Sequence, residues 1–318
     1  MKKRSSMESL QVSSVAIIII NWNGFPFTLQ CIRSLENTLY PSFKIIVIDN
    51  GSTDNSLQKL REAYPAHHYI GLAENIGFTG GNNVGMAYAL ENGFDNILLL
   101  NNDTEVSPDF LDQLILFQKL QPNAGLIQPL IFFNQQRKII WSAGGKYNSL
   151  LAIPTTLHDR KTIDPQLIPD RELDWATGCC LLISKEVLQD VGFMVPGYFA
   201  YFEDVDWSLR MKKKGYQIFL ASKAIIFHEA GASSKKTHSE GTLSATVFYL
   251  HARNQIFLIR NHGLFPFALL AFGYQLLKYM VWISYFCLRK RFKKAKAVLR
   301  GIKDGFQLNP ESNTPLCP

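Results

Sequence analysis

One short segment concentrates acidic and aromatic side chains that could carry proton transfer. Glu203, Asp204 and Asp206 follow the aromatic-rich stretch 198–202 and precede Arg210. Aromatic neighbours would remove water from a carboxylate and raise its pKa toward the range that a general base needs. A structural explanation is also open, because acidic residues stabilise a helix N-terminus and Asp206 can pair with Arg210 one turn later. The cluster therefore predicts a catalytic carboxylate without selecting among the three.

Asp103 and His228 each follow an apolar, strand-like run and could share one divalent cation. Asp103 comes after an apolar strand and two asparagines, and His228 comes after the run 224–227. A carboxylate oxygen and an imidazole nitrogen suit such an ion if the fold brings the two strand ends together. Taken alone, each has a structural alternative, since Asp103 could cap the helix that begins near Pro108 and a single histidine is more often structural.

Two further strand ends are polar and could bind a nucleoside. They are the stretches 21–24, Asn-Trp-Asn-Gly, and 49–54, Asp-Asn-Gly-Ser-Thr-Asp. Neighbouring strand ends in an α/β sheet can direct a carboxylate at a base N–H or a ribose hydroxyl. The same residue types also build ordinary turns and helix caps, so either stretch alone would be ambiguous.

The stretch 74–85 contains four glycines and three asparagines, and we expect it to precede a helix. Glycines let backbone N–H groups approach a phosphate closely, and a helix N-terminus adds a favourable field. The pattern matches neither the dinucleotide fingerprint G-x-G-x-x-G nor the Walker A loop. A nicotinamide-dependent dehydrogenase or an ATPase is therefore disfavoured.

Alternating strands and helices are expected to position these residues. Short β-branched runs predict strands, and apolar spacing of 3.6 residues predicts the helices between them. The predicted strands are 15–21, 43–49, 68–72, 96–100 and 125–130, and the predicted helices are 27–38, 55–64, 81–92 and 108–121. This order indicates an α/β fold with a mostly parallel central sheet flanked by helices, in which ligands bind beyond the carboxyl ends of the strands.

Composition excludes several other classes of protein. The chain has 318 residues, of which 47% are hydrophobic and 19% charged, as in ordinary folded proteins. The formal net charge of +7 equals that of the stretch 289–304, so the remainder is neutral overall and a nucleic-acid-binding surface is not expected. Five cysteines without a zinc-like spacing favour a reducing compartment.

The C-terminal stretch 264–288 is almost wholly apolar, and a basic run follows it. It is long enough to cross a bilayer. However, no signal peptide is recognised, so one crossing would send the basic run outward and would place Lys278 near the bilayer centre. A helix in the membrane interface, with the basic run on anionic headgroups, avoids both problems. A buried helix or a contact between copies in a homo-oligomer is the alternative.

The predicted divisions are a flexible 1–11, a domain 12–262 and a helical, membrane-associating tail 263–318.

Taken in order, these motifs resemble glycosyltransferase family 2, the inverting transferases of the GT-A fold, and within it the bacterial rhamnosyltransferase-like branch. The resemblance covers about residues 15–261. The stretches that carry it are 21–24, 49–54, 74–82, 99–103, 176–183, 201–210 and 228–233.

The resemblance implies a role for individual residues. Asp204 would deprotonate an acceptor hydroxyl, with Glu203 and Asp206 beside it, and Asp103 would bind Mg²⁺ or Mn²⁺ with His228 and Asn101. The residues implied for binding the nucleotide sugar are Asn23, Asp49, Asn75, Gly77, Gly80, Asn82 and Asn102. Those implied for the acceptor side are Trp175, Thr177, Gly178 and Cys179. Asn101 stands where many members carry the first aspartate of the metal motif, so weaker cation binding is expected.

The branch also implies partners and a location. It suggests transfer from thymidine diphosphate-rhamnose to a glycan or polyprenyl-diphosphate-linked acceptor, at the cytoplasmic face of the bacterial inner membrane, in polysaccharide biosynthesis. A sugar nucleotidyltransferase is an alternative with the same nucleotide-binding layout, although no Gly-rich loop with Lys or Arg follows the first strand. A catalytically silent, membrane-bound scaffold that binds nucleotide is the other alternative.

Overall fold

The computed structural model describes residues 12–229 and 243–311. The predicted N-terminal segment 1–11 and part of the predicted motif 228–233 lie outside these residues. The strands are β1 (Val15–Asn21), β2 (Phe43–Asp49), β3 (His68–Gly71), β4 (Asn96–Asn101), β5 (Thr104–Val106), β6 (Ala124–Phe133), β7 (Ile140–Ser142), β8 (Gly145–Asn148), β9 (Ile153–Thr156), β10 (Arg171–Leu173), β11 (Cys180–Ser184) and β12 (Gln217–His228). The helices are α1 (Phe25–Leu35), α2 (Ser56–Ala63), α3 (Gly77–Glu91), α4 (Phe110–Leu120), α5 (Lys185–Val191), α6 (Glu203–Lys213), α7 (Ala245–His262), α8 (Phe267–Leu288) and α9 (Phe292–Gln307).

The central sheet has ten strands, and its main path runs β10-β12-β6-β11-β4-β1-β2-β3. Neighbours are parallel from β4 to β3, as predicted for the first half of the chain. Beyond β4 the sheet is mixed, because β11 runs antiparallel to both of its neighbours. The predicted α/β class with a helix-flanked sheet is confirmed, and the strands from β4 to β3 together with the pair β6 and β12 are parallel.

Strand β1 shows why the middle of the sheet is stable. Val15, Ile17 and Ile19 face one apolar cluster, and Ala16 and Ile18 face another on the opposite side. A strand covered by helices on both faces needs apolar residues at every position. This explains why a continuous apolar run, and not an alternating pattern, marks β1 in the sequence.

Helix α3 begins at Gly77, four residues earlier than predicted. A Cβ on Gly81 would lie 3.2 Å from the Ile20 side chain, and one on Gly85 would lie 2.4 Å from that of Ile18. The glycines therefore allow the helix to lie directly on β1, and this packing offsets their poor helix propensity. Most of the predicted glycine-rich loop is in fact the first turns of this helix.

The last three helices pack on one another around Ala252, Tyr279, Phe286 and Val298. Helix α7 also packs against the sheet-containing part of the chain, since its Leu258 lies in one apolar cluster with Trp175 and Val205. Helix α7, the last helix of the predicted domain 12–262, thus packs both on that domain and on the helices of the predicted tail 263–318. Among the described residues, α8 is the one helix that is long and apolar enough to cross a membrane, and 17% of its apolar window is buried.

Candidate active site

Strand register brings the candidate residues to one edge of the sheet. Asn21 at the end of β1 is paired with Asp49 at the end of β2, and Ile20 is paired with Asn101 on β4. On the other side, His228 at the end of β12 is paired with Thr104, the residue after Asp103. Residues separated by more than a hundred positions therefore meet at the carboxyl ends of the parallel strands.

Asp49 lies at the centre of a hydrogen-bonded turn. Its Oδ1 accepts a bond of 2.7 Å from Asn21 Nδ2, and its Oδ2 accepts one of 3.0 Å from the Ser52 amide. Asn23 joins the same structure, because its Oδ1 accepts a bond of 2.8 Å from the Thr53 amide. The buried carboxylate is thus held in one orientation at the sheet edge, beside a cavity of about 500 Å³ whose lining includes Arg61. This volume suits a nucleoside.

A second network orders the turn that enters α3. Asn75 Oδ1 accepts bonds from the Asn50 side chain at 3.0 Å and from the Gly77 amide at 2.8 Å. Asn50 Oδ1 in turn accepts from the Ile76 amide at 3.0 Å. Gly77 has a φ of +84°, and a Cβ there would lie 2.5 Å from the Phe199 carbonyl oxygen. Only glycine fits this position without displacing its neighbour.

The other predicted members of the glycine-rich stretch lie inside α3. A Cβ on Gly80 would meet the Ile76 side chain at 2.9 Å. Asn82 is buried, and its Nδ2 donates to the Phe78 carbonyl of its own helix at 2.9 Å. These two residues therefore pack the helix, whereas Asn75 and Gly77 shape the turn at its N-terminus. Such an end offers N–H groups to an anion.

Asp103 and His228 converge as a buried pair. Asp103 Oδ1 lies 3.1 Å from His228 Nε2, and both side chains are less than a tenth exposed. The Trp141 ring lies edge-on to the imidazole, with the ring centroids 4.4 Å apart. Carboxylate and imidazole are both ligand types for Mg²⁺ or Mn²⁺. Within the described ranges no three His, Cys, Asp or Glu side chains form a metal-binding group.

The neighbouring asparagines are placed by their surroundings. Asn101 ends β4, and its amide donates to the Cys179 carbonyl at 2.9 Å. Asn102 Nδ2 donates to the Thr28 hydroxyl at 2.9 Å, which in turn donates to Asn21 Oδ1 at 2.7 Å. Asn102 is therefore joined through Thr28 and Asn21 to the hydrogen bonds around Asp49.

The segment before β11 connects this edge to the acidic helix. The Gly178 amide donates to Asp204 Oδ2 at 2.9 Å, and Gly178 precedes the Cys179 that is bonded to Asn101. The Thr177 amide donates to Gln128 Oε1 at 2.8 Å. Burial raises the pKa of Asp204, and hydrogen bonds from the Gly178 and Val205 amides offset only part of that effect.

Two predicted acceptor-side residues contribute mainly to packing. The Cys179 thiol lies in the core, and burial raises its pKa well above the usual range, so it is inert as a nucleophile. Trp175 packs under α6 with Val205, and its indole N–H donates to the Lys146 carbonyl at 3.1 Å. Of this set, Gly178 is the residue that bonds directly to Asp204.

The three acidic residues of α6 have different surroundings. Glu203 is buried, its Oε2 has no hydrogen-bond partner among residues 12–229 and 243–311, and burial together with the Asp204 charge raises its pKa well above the usual range. Asp206 accepts bonds from Arg210 Nε at 3.0 Å and His262 Nε2 at 2.8 Å. Burial would raise the pKa of Asp206, but these partners outweigh it and lower that pKa.

The sequence profile described as glycosyl transferase family 2 matches residues 16–192, more than half of the chain. The chain belongs to that family. This glycosyltransferase is 24% identical over 216 residues to the low-salt glycan biosynthesis hexosyltransferase Agl10 of Haloferax volcanii, a match that covers 67% of this chain and 66% of the relative. It is 24% identical over 270 residues to the N-acetylglucosaminyl-diphospho-decaprenol L-rhamnosyltransferase of Mycobacterium tuberculosis, covering 78% and 84%.

A solved structure supports the same fold. The mannosyltransferase PcManGT from Pyrobaculum calidifontis, in complex with GDP-Man and Mn²⁺, matches with a TM-score of 0.55 at 12% identity, covering 92% of this chain and 87% of that one. At this identity the likeness shows the GT-A fold alone. The predicted fold, family and enzyme class of the glycosyltransferase are therefore confirmed.

Sequence reasoning missed several residues that organise the site. Asn21 and Ser52 hold Asp49, and Asn50 holds Asn75. Each lies in a polar motif that the sequence analysis identified, so its position indicated that it belongs to the site. Their roles depend on the direction of each side chain. This direction alternates along a strand, but the alternation does not continue through a turn.

Proposed function

We propose that the protein transfers rhamnose from thymidine diphosphate-rhamnose, with inversion, to a hydroxyl of a polyprenyl-diphosphate-linked glycan. The observation that carries this proposal is that Asp204 is bonded to the Gly178 amide and the next residue, Cys179, is bonded to Asn101, two positions before the Asp103 of the Asp103–His228 pair. These contacts connect a carboxylate of raised pKa to a sheet edge whose polar groups suit a nucleoside diphosphate. The rhamnosyltransferase of M. tuberculosis, whose name states a polyprenyl-linked acceptor, supports the choice of sugar and acceptor.

The proposed step is a single displacement. Asp204 takes the proton from the acceptor hydroxyl, whose oxygen forms a bond to the anomeric carbon while the bond from that carbon to the diphosphate oxygen breaks. Asp49 and Asn23 hold the nucleoside, and the α3 N-terminus at Asn75 and Gly77 receives the diphosphate. Asp103 and His228 would hold the Mg²⁺ or Mn²⁺, with Asn101 beside them, and the bound cation supplies positive charge that stabilises the leaving diphosphate.

We assign different roles to the other two acidic residues. The raised pKa of Glu203 favours its protonated form, and the neutral side chain avoids a second negative charge beside Asp204. Asp206 fixes α6 through Arg210 and His262 and does not transfer protons. This assignment favours the structural interpretation of Asp206 that its spacing from Arg210 suggested.

The tail is proposed to lie on the membrane surface. Helix α8 packs on α7 and α9 through the stripe of Ala271, Gln275 and Tyr279, and exposes apolar side chains on its other side. Helix α9, which carries most of the basic run, packs alongside α8. If α8 crossed the bilayer, it would draw this charged helix into hydrocarbon, so an in-plane position is favoured. The glycosyltransferase would then meet its lipid-linked acceptor at the cytoplasmic face.

Nucleotide binding tests the donor site. Thermal stabilisation by the diphosphates of thymidine, uridine, guanosine and cytidine would be measured with and without Mn²⁺. We expect the largest shift with thymidine diphosphate and Mn²⁺, and its loss in Asp103→Ala. Asp95→Ala is the matched control, because Asp95 precedes the same strand β4 at the opposite edge and bonds to Ser14. No shift with any nucleotide would refute the proposal, and a shift without sugar transfer from any donor would favour the silent scaffold.

A further inference from the structure

The segment that leads into the acidic helix has an unusual backbone. Phe199, Tyr201 and Phe202 have φ values of 62°, 71° and 69°. Phe199 has a ψ of −59°, and the Ala200 amide donates to the Tyr198 carbonyl at 2.7 Å, which defines a γ-turn. Positive φ in bulky residues costs about 1–3 kcal/mol each. Contacts from outside the segment must therefore hold this conformation.

Two adjacent residues of α7 supply those contacts. Asn254 Nδ2 lies 2.8 Å from the carbonyl oxygens of Tyr198, Ala200 and Tyr201. A terminal nitrogen of Arg253 donates to the Gly197 carbonyl at 2.7 Å and to that of Tyr198 at 3.0 Å. Arg253 Nε also donates to Asn254 Oδ1 at 2.9 Å, which orients the amide. Both side chains are fully buried.

The segment 197–202 connects to both α6 and α3. At one end, Phe202 precedes Glu203 and Asp204 at the start of α6. In the middle, the Phe199 carbonyl accepts a bond of 3.1 Å from the Thr79 amide in the first turn of α3. The position of Asp204 relative to α3 therefore depends on the shape of this segment. A shift of about 1 Å at a reacting group can lower a rate about a hundredfold.

We propose that Arg253 and Asn254 are positioning residues for sugar transfer. They hold the strained segment 197–202. In this conformation Asp204 remains bonded to Gly178, and Phe199 remains in contact with α3. The proposal rests on the proposed function for its effect on turnover. Its structural part, that Asn254 maintains the γ-turn at Phe199, is independent of which sugar is transferred.

The test replaces the Asn254 amide with an isosteric carboxylate. In Asn254→Asp a carboxylate replaces the amide. Its negative charge would repel the three carbonyl oxygens and release the segment. Gln255→Glu is the matched control, because Gln255 is buried at the next position of α7 and its Nε2 donates to the Ala152 carbonyl at 2.7 Å, outside the segment. We expect Asn254→Asp to lower kcat about a hundredfold with the KM for donor within about twofold of wild type. Gln255→Glu should keep the wild-type kcat to within about threefold.

Amide hydrogen exchange provides a readout that does not need activity. Exchange at the Ala200 and Thr79 amides should accelerate in Asn254→Asp and stay at the wild-type rate in Gln255→Glu. Equal exchange or equal kcat in the two variants would overturn the proposal. If either variant does not fold, Asn254→Ser and Gln255→Ser repeat the comparison. An inactive wild type would instead refute the proposed function, and the exchange result would still decide whether Asn254 holds the turn.

Discussion

The carboxylate of Asp204 accepts a hydrogen bond of 2.9 Å from the backbone N–H of Gly178. This contact joins the acidic helix α6 to the segment before β11, and the next residue, Cys179, is bonded through its carbonyl to the Asn101 amide. The proposed base and the proposed metal edge are therefore held together by backbone groups. Their relative position does not depend on flexible surface side chains, which favours a preorganised site.

Replacement of Asp204 should remove the proton acceptor while preserving its shape. We expect Asp204→Asn to lower kcat by about 10²–10⁴-fold and to leave nucleotide-dependent thermal stabilisation intact. Because burial raises the pKa of Asp204, the reactive ionised form accumulates at higher pH than for an ordinary aspartate. Wild-type kcat should therefore rise with pH above the usual aspartate range, and initial rates across pH would show it. Normal turnover in Asp204→Asn would contradict the assignment of the base.

Glu203→Gln should stabilise the protein increasingly as pH rises. The pKa of Glu203 is raised in the folded state, so its stabilising contribution is complete below the ordinary glutamate pKa and is lost as pH rises toward the folded-state value. Glutamine keeps the neutral shape at every pH. Melting temperatures of both proteins between about pH 4 and pH 8 would measure the difference. An advantage that is the same at every pH would show that Glu203 is not the titrating group.

Asp206→Asn should lower the free energy of unfolding. The buried carboxylate is paired with Arg210 and His262, and removal of one member of a buried ion pair costs about 3–5 kcal/mol. The pKa of Asp206 is lowered, so the loss should be full at neutral pH and should shrink as pH falls through that pKa. Urea unfolding would measure it. Asp190→Asn is the control, because Asp190 pairs with Lys214 at the exposed end of the same helix, and its unfolding midpoint should stay unchanged.

The exposed face of α8 should mediate binding to anionic lipid. Leu277 and Val281 are exposed one turn apart on α8, as Leu116 and Leu120 are on α4. We expect Leu277→Glu with Val281→Glu to weaken co-sedimentation with phosphatidylglycerol vesicles by at least about tenfold. The pair Leu116→Glu with Leu120→Glu should leave it unchanged. Equal binding by both double variants, or binding to neutral vesicles alone, would contradict the proposed orientation.

The sequence was sufficient to predict five strands of the central sheet, β1 to β4 and β6, and the polar residues that follow the first four. Strands β1 and β2 have the predicted bounds, because buried β-branched runs allow little else and the polar residues at Asn21 and Asp49 mark where burial ends. The acidic residues and the lysines that follow them also indicated helix α6. These features are local, and their residue types are sufficient to indicate them.

Tertiary structure decided which side chains meet. Asp103 and His228 approach only because β5 pairs with β12, and nothing in the local sequence encodes that pairing. Helix α3 begins at Gly77 because its glycines pack on β1, a benefit that helix propensity does not contain. Asp204 and Asp206, two positions apart, face different partners because a helix turns about 100° per residue. The contacts that divide their roles come from distant parts of the chain, so only the folded protein reveals them.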